Sequence, residues 1–138
     1  MANAKTLKSR LASGEFDARL KEVYLSDKAV EDQKKRDAVI IDEFVRLFGD
    51  NDSIELFSAP GRTEVGGNHT DHNHGKVLAA SVDLDTVAAA AKRDDGIIVE
   101  KSFKFDALEV DISDLEVHTE EFGKSSGLIR GMCAGFKE

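Results

Sequence analysis

Residues 59–75 read Ala-Pro-Gly-Arg-Thr-Glu-Val-Gly-Gly-Asn-His-Thr-Asp-His-Asn-His-Gly, and no other part of the chain is as dense in functional residue types. The segment holds four glycines, three of the four histidines, one arginine and two carboxylates. Glycines let a main chain adopt positive φ and approach a ligand closely, while His, Asp, Asn and Arg offer directed hydrogen bonds. This combination is typical of a ligand-binding loop. The alternative is a polar loop whose histidines are merely exposed.

The residue types in this segment suit a polyhydroxylated ligand such as a sugar, which needs several fixed donors and acceptors. A carboxylate and an amide can each bind hydroxyl groups. An arginine can in addition neutralise a phosphate through two parallel hydrogen bonds. The sequence therefore predicts a sugar or sugar-phosphate site.

A metal site is the second interpretation of the same segment. His69, Asp71, His72 and His74 lie close together, and imidazole with carboxylate suits zinc or iron, as in a metal-dependent hydrolase. On a strand, however, His69 and Asp71 would face one side while His72 and His74 face the other. Only a tight loop would bring the four side chains together.

The segment resembles the galactokinase signature, Pro-Gly-Arg-x-Asn-x-x-Gly-Glu-His-Thr-Asp-Tyr-Asn-x-Gly, found in the family of galacto-, homoserine, mevalonate and phosphomevalonate kinases. The matching positions are Pro60, Gly61, Arg62, Gly67, His69, Thr70, Asp71, Asn73 and Gly75. The resemblance implies that the chain is the N-terminal fragment of a galactokinase-like sugar 1-kinase. The intact enzyme would transfer the γ-phosphate of MgATP to the C1 hydroxyl of galactose and release galactose 1-phosphate.

The resemblance also implies roles for individual residues. Arg62 would lie beside the reacting C1 hydroxyl and stabilise charge there, as the catalytic residue within this chain. His69 and Asp71 would bind sugar hydroxyls, together with Asn68 and Glu64. No residue is expected to bind a metal or a cofactor.

Three positions depart from the signature. Glu64 stands where the family has asparagine, Asn68 where it has glutamate, and His72 where it has tyrosine. A carboxylate and an amide have therefore exchanged places, and a charged acceptor is roughly twice as strong as a neutral one. Galactose specificity is the least secure implication, and another hexose or an N-acetylated sugar stays open.

The family's phosphate loop, Pro-x-x-x-Gly-Leu-x-Ser-Ser-Ala, does not occur in residues 1–138. Residues 123–125, Gly-Lys-Ser, imitate the end of another phosphate loop, but its first glycine would fall at His118, and two glutamates would sit among the phosphates. The family's catalytic base also follows the phosphate loop. We therefore expect this chain alone to be inactive and to hold no MgATP. A stand-alone sugar-binding or regulatory module is the alternative to a kinase fragment.

Hydrophobic periodicity predicts an α+β fold with N-terminal helices, a central and mostly antiparallel sheet, and a C-terminal helix. Ser26-Asp27 would cap a helix of about 22 residues that ends at Gly49, and a second helix runs from Ser126. Strands are predicted over 54–57, 77–82, 86–91, 97–99 and 103–112, with the turn at 94–96 pairing 86–91 with 97–99 as a hairpin.

The predicted organisation has two parts: an N-terminal helical extension over 1–52, and the first part of the kinase N-terminal domain over 53–138. The resemblance implies that the second part is an incomplete sugar-kinase domain of the ribosomal protein S5 domain 2-like class. An incomplete sheet leaves an unpaired edge, which would favour self-association.

The charge and composition exclude several classes of protein. The chain has 19 basic and 27 acidic residues, a net charge of −8, and residues 94–121 alone hold ten acids against two lysines. Such an acidic chain disfavours a nucleic-acid partner. No apolar run approaches the ~20 residues of a membrane span, and the start lacks a secretion signal. We expect a cytoplasmic protein with a small sugar as partner and with neither nucleic acid nor membrane.

Overall fold

The computed structural model describes residues 2–137 and has an α+β architecture. The chain divides into two compact units, Met1–Ala91 and Lys92–Glu138. The first unit contains α1 (Ala4–Ala12), α2 (Asp17–Tyr24), α3 (Asp27–Phe48), β1 (Glu55–Gly66) and β2 (Leu78–Ala90). The second contains β3 (Ile97–Glu100), β4 (Leu108–Asp111) and α4 (Ser125–Lys137). Within residues 2–137, no helix is both long and apolar enough to cross a membrane.

The helix α3 forms where its caps predict it. The Ser26 hydroxyl accepts a hydrogen bond of 3.2 Å from the main-chain N–H of Ala29, which satisfies one of the orphan donors of the first turn. Gly49 follows the last turn with φ of 79°, a conformation that a glycine adopts without strain. The predicted helix of 22 residues is confirmed.

The core of the first unit joins the helices to the start of β1. Leu7 and Leu11 of α1 pack with Ile41 and Phe44 of α3 and with Ile54. Ala2 and Ile54 exchange two main-chain hydrogen bonds of 3.4 and 3.1 Å. The predicted division after residue 52 stays a prediction, and the contacts divide the chain after Ala91.

The strands β1 and β2 form an antiparallel pair from Glu55 opposite Ala90 to Gly66 opposite Leu78. The predicted strands 77–82 and 86–91 are therefore one continuous strand. The predicted hairpin between 86–91 and 97–99 is wrong, because β2 pairs with β1 and β3 pairs with β4. The turn residues at 94–96 indicate a change of direction, but local sequence does not identify the partner of a strand. The described strands thus form two small antiparallel sheets instead of one central sheet.

The second unit is organised around Arg130 of α4. Its guanidinium donates to the carbonyl of Asp111 at 2.7 Å, to the carbonyl of Asp114, and to the Glu121 carboxylate at 2.8 Å. One side chain therefore ties α4 to the end of β4 and to the connection that follows it. The helix predicted from Ser126 is confirmed and begins one residue earlier.

The predicted strand over 103–112 is wrong in its first half. Phe103 and Phe105 are 82% and 70% exposed and lie in a turn, in which the Phe105 N–H donates to the Ser102 carbonyl at 3.2 Å. Only Leu108–Asp111 pairs as a strand. The alternation of apolar and polar residues matched a half-buried strand, but no partner strand extends far enough to pair with residues 103–107.

Candidate functional site

The first half of the segment 59–75 lies on β1 and not in a loop. Arg62 is opposite Ser81 of β2, and the register shifts on each side of it, between Pro60 and Arg62 and between Glu64 and Gly66. Gly61 lies at the first irregularity, where a Cβ would stand 3.1 Å from Cγ2 of Val82. Bulges of this kind re-aim side chains at functional sites, and here they flank the arginine.

The second half is a compact turn closed by its own main chain. The Thr70 hydroxyl donates to the Gly67 carbonyl at 2.8 Å, and the Thr70 carbonyl accepts from the N–H groups of Asn73 and Gly75 at 3.0 and 2.8 Å. Gly67 has φ of 113°, and a Cβ there would stand 2.5 Å from the Lys76 carbonyl oxygen. The turn therefore requires glycine at residue 67.

Glu64 connects the two halves of the segment. Its two carboxylate oxygens lie 3.0 and 2.9 Å from the main-chain nitrogen of His69, which donates to them, and Oε2 lies 3.6 Å from His69 Nδ1. The Glu64 side chain is 23% exposed, whereas that of His69 is 81% exposed. Asn68 and His69 have φ of 57° and 56°, and left-handed backbone is uncommon outside glycine. The carboxylate thus holds a strained part of the turn.

Three predicted site residues have exposed side chains without partners. Within the part of the chain that the structure describes, the side chains of Arg62, Asn68 and Asp71 make no hydrogen bond or ion pair. They offer a guanidinium, an amide and a carboxylate to solvent. His72 instead lies with its Nε2 3.2 Å from the Asn73 side-chain amide. All five predicted site residues lie between residues 62 and 71, on β1 or in the connection from β1 to β2, and we call β1, β2 and this connection the hairpin.

The structure does not group the four candidate metal ligands of residues 69–74 around one point. Among residues 2–137, no group of three His, Cys, Asp or Glu side chains could hold a metal ion. Of the two cases considered, the segment forms a tight loop and not a strand, because residues 71–73 form a short 3₁₀ helix and His74 has φ of 61°.

A polar cluster around Asp85, on the second strand of the hairpin, is not apparent from sequence motifs. Asp85 of β2 lies opposite Pro60, and its side chain is 8% exposed. Its carboxylate accepts hydrogen bonds from Ser58 at 2.7 Å, Tyr24 at 2.5 Å and Arg36 at 2.7 Å. Burial by itself would raise the pKa of Asp85, but these three donors together lower it. The signal in the sequence is two acids, Asp83 and Asp85, inside a largely apolar strand, and it does not indicate which of them is buried.

The cluster continues into α3. Gln33 and Asp37 are buried, and the Gln33 amide donates to Asp37 Oδ1 at 2.6 Å. Arg36 donates to the Gln33 amide oxygen at 2.7 Å as well as to Asp85. Burial raises the pKa of the Asp37 carboxyl above its ordinary value, although the hydrogen bond from Gln33 opposes the shift. The helix and the hairpin are therefore joined through polar side chains as well as apolar ones.

Comparison with known proteins gives the family. The galactokinase galactose-binding signature matches residues 42–92. A galactokinase of Lactococcus lactis subsp. cremoris (strain MG1363) is 32% identical over 103 residues, which covers 72% of this chain and 25% of that protein. A galactokinase of Streptococcus suis (strain 05ZYH33) is 41% identical over 75 residues, which covers 52% of this chain and 19% of that protein. No solved structure matches.

The match spans the elements that form the hairpin. Residues 42–92 run from the end of α3 through β1, the turn and β2. The chain covers about a quarter of the length of the Lactococcus galactokinases that it matches. The relationship to galactokinases that we predicted from the sequence of residues 59–75 is confirmed. The chain belongs to the galactokinase family and corresponds to the N-terminal part of a galactokinase.

Proposed function

We propose that the β1–β2 hairpin is the sugar-binding element of a galactokinase-type phosphotransferase, with galactose or a closely related hexose as its ligand. The observation that carries this proposal is the set of exposed, unpartnered side chains on one hairpin: Arg62, Asn68 and Asp71. A guanidinium, an amide and a carboxylate are the groups that bind sugar hydroxyls and a developing phosphate charge. The match of the galactose-binding signature to the same residues supports the proposal.

The reaction proposed for a protein of full galactokinase length is phosphoryl transfer. The C1 hydroxyl oxygen of the sugar forms a bond to the γ-phosphorus of MgATP while the bond from that phosphorus to the β,γ-bridging oxygen breaks. ADP leaves, and the hydroxyl proton passes to a base outside residues 1–138. Catalysis of this kind depends mainly on positioning and on electrostatic stabilisation.

Each hairpin residue has a proposed part in that reaction. Arg62 stabilises negative charge beside the C1 hydroxyl, which suits a free guanidinium on a bulged strand. Asp71 and His69 bind sugar hydroxyls, and Asn68 offers an amide that can both donate and accept. Glu64 belongs to the same sugar site, where its carboxylate contacts the main chain of His69.

Sugar titration of the chain tests the binding proposal. We expect galactose to shift the amide resonances of residues 62–75 in a ¹⁵N-labelled chain, with N-acetylgalactosamine and glucose titrated in parallel to define the hexose. Asp71→Asn should weaken galactose binding about tenfold, because a charged acceptor is replaced by a neutral one. The matched control is Asp106→Asn, an exposed acid in the second unit. Equal affinity in the wild type and in Asp71→Asn would contradict the role of Asp71.

A coupled assay for galactose 1-phosphate tests the catalytic proposal. The chain of 138 residues should form no product from galactose and MgATP, since the proposed nucleotide site and base lie outside it. A protein of the relatives' full length should form it, and Arg62→Ala should lower the kcat of that protein about a hundredfold. Galactose binding without phosphorylation at full length would favour the regulatory module instead.

A further inference from the structure

We infer that Glu64 is a positioning residue of the sugar-binding turn: it holds the main chain at His69 so that the Asn68 amide is left free to contact the ligand. The inference rests on the proposed sugar binding by the hairpin. It assigns to Glu64 a part that acts through the backbone and not by direct contact with the sugar.

Glu64 contacts the turn through the main-chain N–H of His69. Both of its carboxylate oxygens are within 3.0 Å of the single main-chain nitrogen of His69, and the nearer imidazole nitrogen is 3.6 Å away. The carboxylate belongs to a strand residue paired with Ala79 of β2, so it is fixed to the sheet. A side chain that is 23% exposed and already engaged in this way has little surface left for a ligand.

The backbone at this point lies in a sparsely populated conformation. Gly67, Asn68 and His69 have φ of 113°, 57° and 56°, three consecutive positive values. Glycine adopts this conformation freely, whereas asparagine and histidine adopt it less readily, although they tolerate it better than most L-residues. A charge-assisted hydrogen bond to the His69 N–H stabilises the strained conformation, because an ionised acceptor binds an N–H more strongly than water or an amide does.

The support explains the exchanged letters of the signature. The resemblance places asparagine at the position of Glu64 and glutamate at the position of Asn68. In this chain the carboxylate at 64 accepts from the backbone, and the amide at 68 is exposed and unpartnered within residues 2–137. The negative charge is therefore on Glu64, which binds the main chain, and the ligand would contact the neutral amide of Asn68.

Amide NMR of the 138-residue chain tests this inference independently of sugar binding. Glu64→Gln should retain an acceptor but replace the charged oxygen by a neutral one, so the His69 amide proton resonance should move upfield as its hydrogen bond weakens. Glu64→Ala should raise the hydrogen-exchange rate of the His69 amide about tenfold. Unchanged resonances of the core residues Ile41 and Ile54 show that each variant is folded.

Galactose is the ligand probe in the same experiment. We expect Glu64→Ala to weaken galactose binding about tenfold and Glu64→Gln to weaken it about threefold or less. The matched control is Glu116→Ala, which removes an exposed glutamate in the second unit and should change neither the His69 amide nor the affinity.

The outcomes separate the inference from the proposed function. A His69 amide that ignores both Glu64 variants overturns the support by Glu64, whatever the sugar does. A His69 amide that responds while galactose leaves the wild-type spectrum unchanged overturns the proposed sugar binding, and with it the part of Glu64 in it. A Glu64→Ala variant that loses the support but binds galactose with wild-type affinity overturns the positioning role alone.

Discussion

The Tyr24 hydroxyl donates a hydrogen bond of 2.5 Å to the carboxylate of Asp85, which joins α2 to the strand behind the signature. Ser58 and Arg36 donate to the same carboxylate, so three elements besides β2 meet at one acid. Because the side chain is 8% exposed, this contact is largely protected from solvent. Asp85 is paired with Pro60 of β1, so this cluster lies beside the start of the segment 59–75.

Asp85→Asn should destabilise the first unit by about 2 kcal/mol, because the amide has one acceptor oxygen and no charge, so at least one of the three donors loses its acceptor. The measurement is urea unfolding at neutral pH. Asp83→Asn is the matched control, since Asp83 lies on the same strand but is exposed and makes no side-chain hydrogen bond or ion pair within residues 2–137. It should change stability by less than about 0.5 kcal/mol.

The same acid should give a pH dependence of defined sign. The lowered pKa of Asp85 means that its contribution is present above the ordinary aspartate pKa, about 3.9, and is lost as pH falls through the folded-state value. The stability difference between wild type and Asp85→Asn should therefore shrink on acidification below about pH 4. A difference that is constant from pH 7 to strongly acidic conditions would contradict this reasoning.

Asp37→Asn should increase the stability of the first unit at neutral pH, whereas Asp85→Asn should decrease it. Burial raises the pKa of Asp37, so its contribution to stability is present below the ordinary pKa and is lost as pH rises through the raised folded-state value. At neutral pH the asparagine keeps an acceptor for the Gln33 amide without a buried charge, and we expect a gain of about 1 kcal/mol. Urea unfolding at pH 7 and under acidic conditions measures this, and a loss of stability at pH 7 would count against it.

Two adjacent glycines provide a paired test of the turn. Gly67→Ala should destabilise the turn by about 2 kcal/mol, because φ is 113° and the new Cβ would stand 2.5 Å from the Lys76 carbonyl oxygen. Gly66→Ala meets no atom within 4 Å and should be nearly neutral. Galactose titration and amide spectra of both variants provide the readout. Equal effects at the two positions would show that the turn does not require the geometry described for Gly67.

In the second unit, His118 should couple stability to pH near neutrality. The hydrogen bond to Asp114 raises the pKa of His118, with support from the charge of Asp114 and from Glu120, while burial opposes the shift. Its contribution is therefore complete below the ordinary histidine pKa of about 6.5 and is lost as pH rises through the raised folded-state value. His118→Gln should abolish this dependence in thermal unfolding between pH 5.5 and about 8. An unaltered pH profile in the variant would rule the histidine out as its source.

Local signals made some elements predictable. Ser26, Gly49 and the apolar stripe through Ile41 and Phe44 define α3, because caps and helical periodicity depend on residues close in the sequence. The signature letters likewise located the hairpin that carries Arg62 and Asp71. In both cases the information lies within a few residues of the feature itself.

Contacts between distant residues were not predictable in the same way. The pairing of β2 with β1 and not with β3 joins residues that lie 12 to 35 positions apart, and the Tyr24–Asp85 contact spans 61 positions. Phe103 and Phe105 followed a strand-like alternation although no strand pairs with them. The contact of Glu64 was predictable only in part. The sequence shows that Glu64 and Asn68 have exchanged residue types, but only the fold shows that the carboxylate contacts the main chain of His69.

The position of the core along the chain has a consequence for synthesis on the ribosome. The buried residues of the main cluster within residues 2–137 lie between Ala4 and Ile54, so they are translated before the segment 59–75. Domains generally fold as units during synthesis, the N-terminal one first. Because the first compact unit extends to Ala91, it is complete only after β2 has been made, and its core residues leave the ribosome before the strand that pairs with β1.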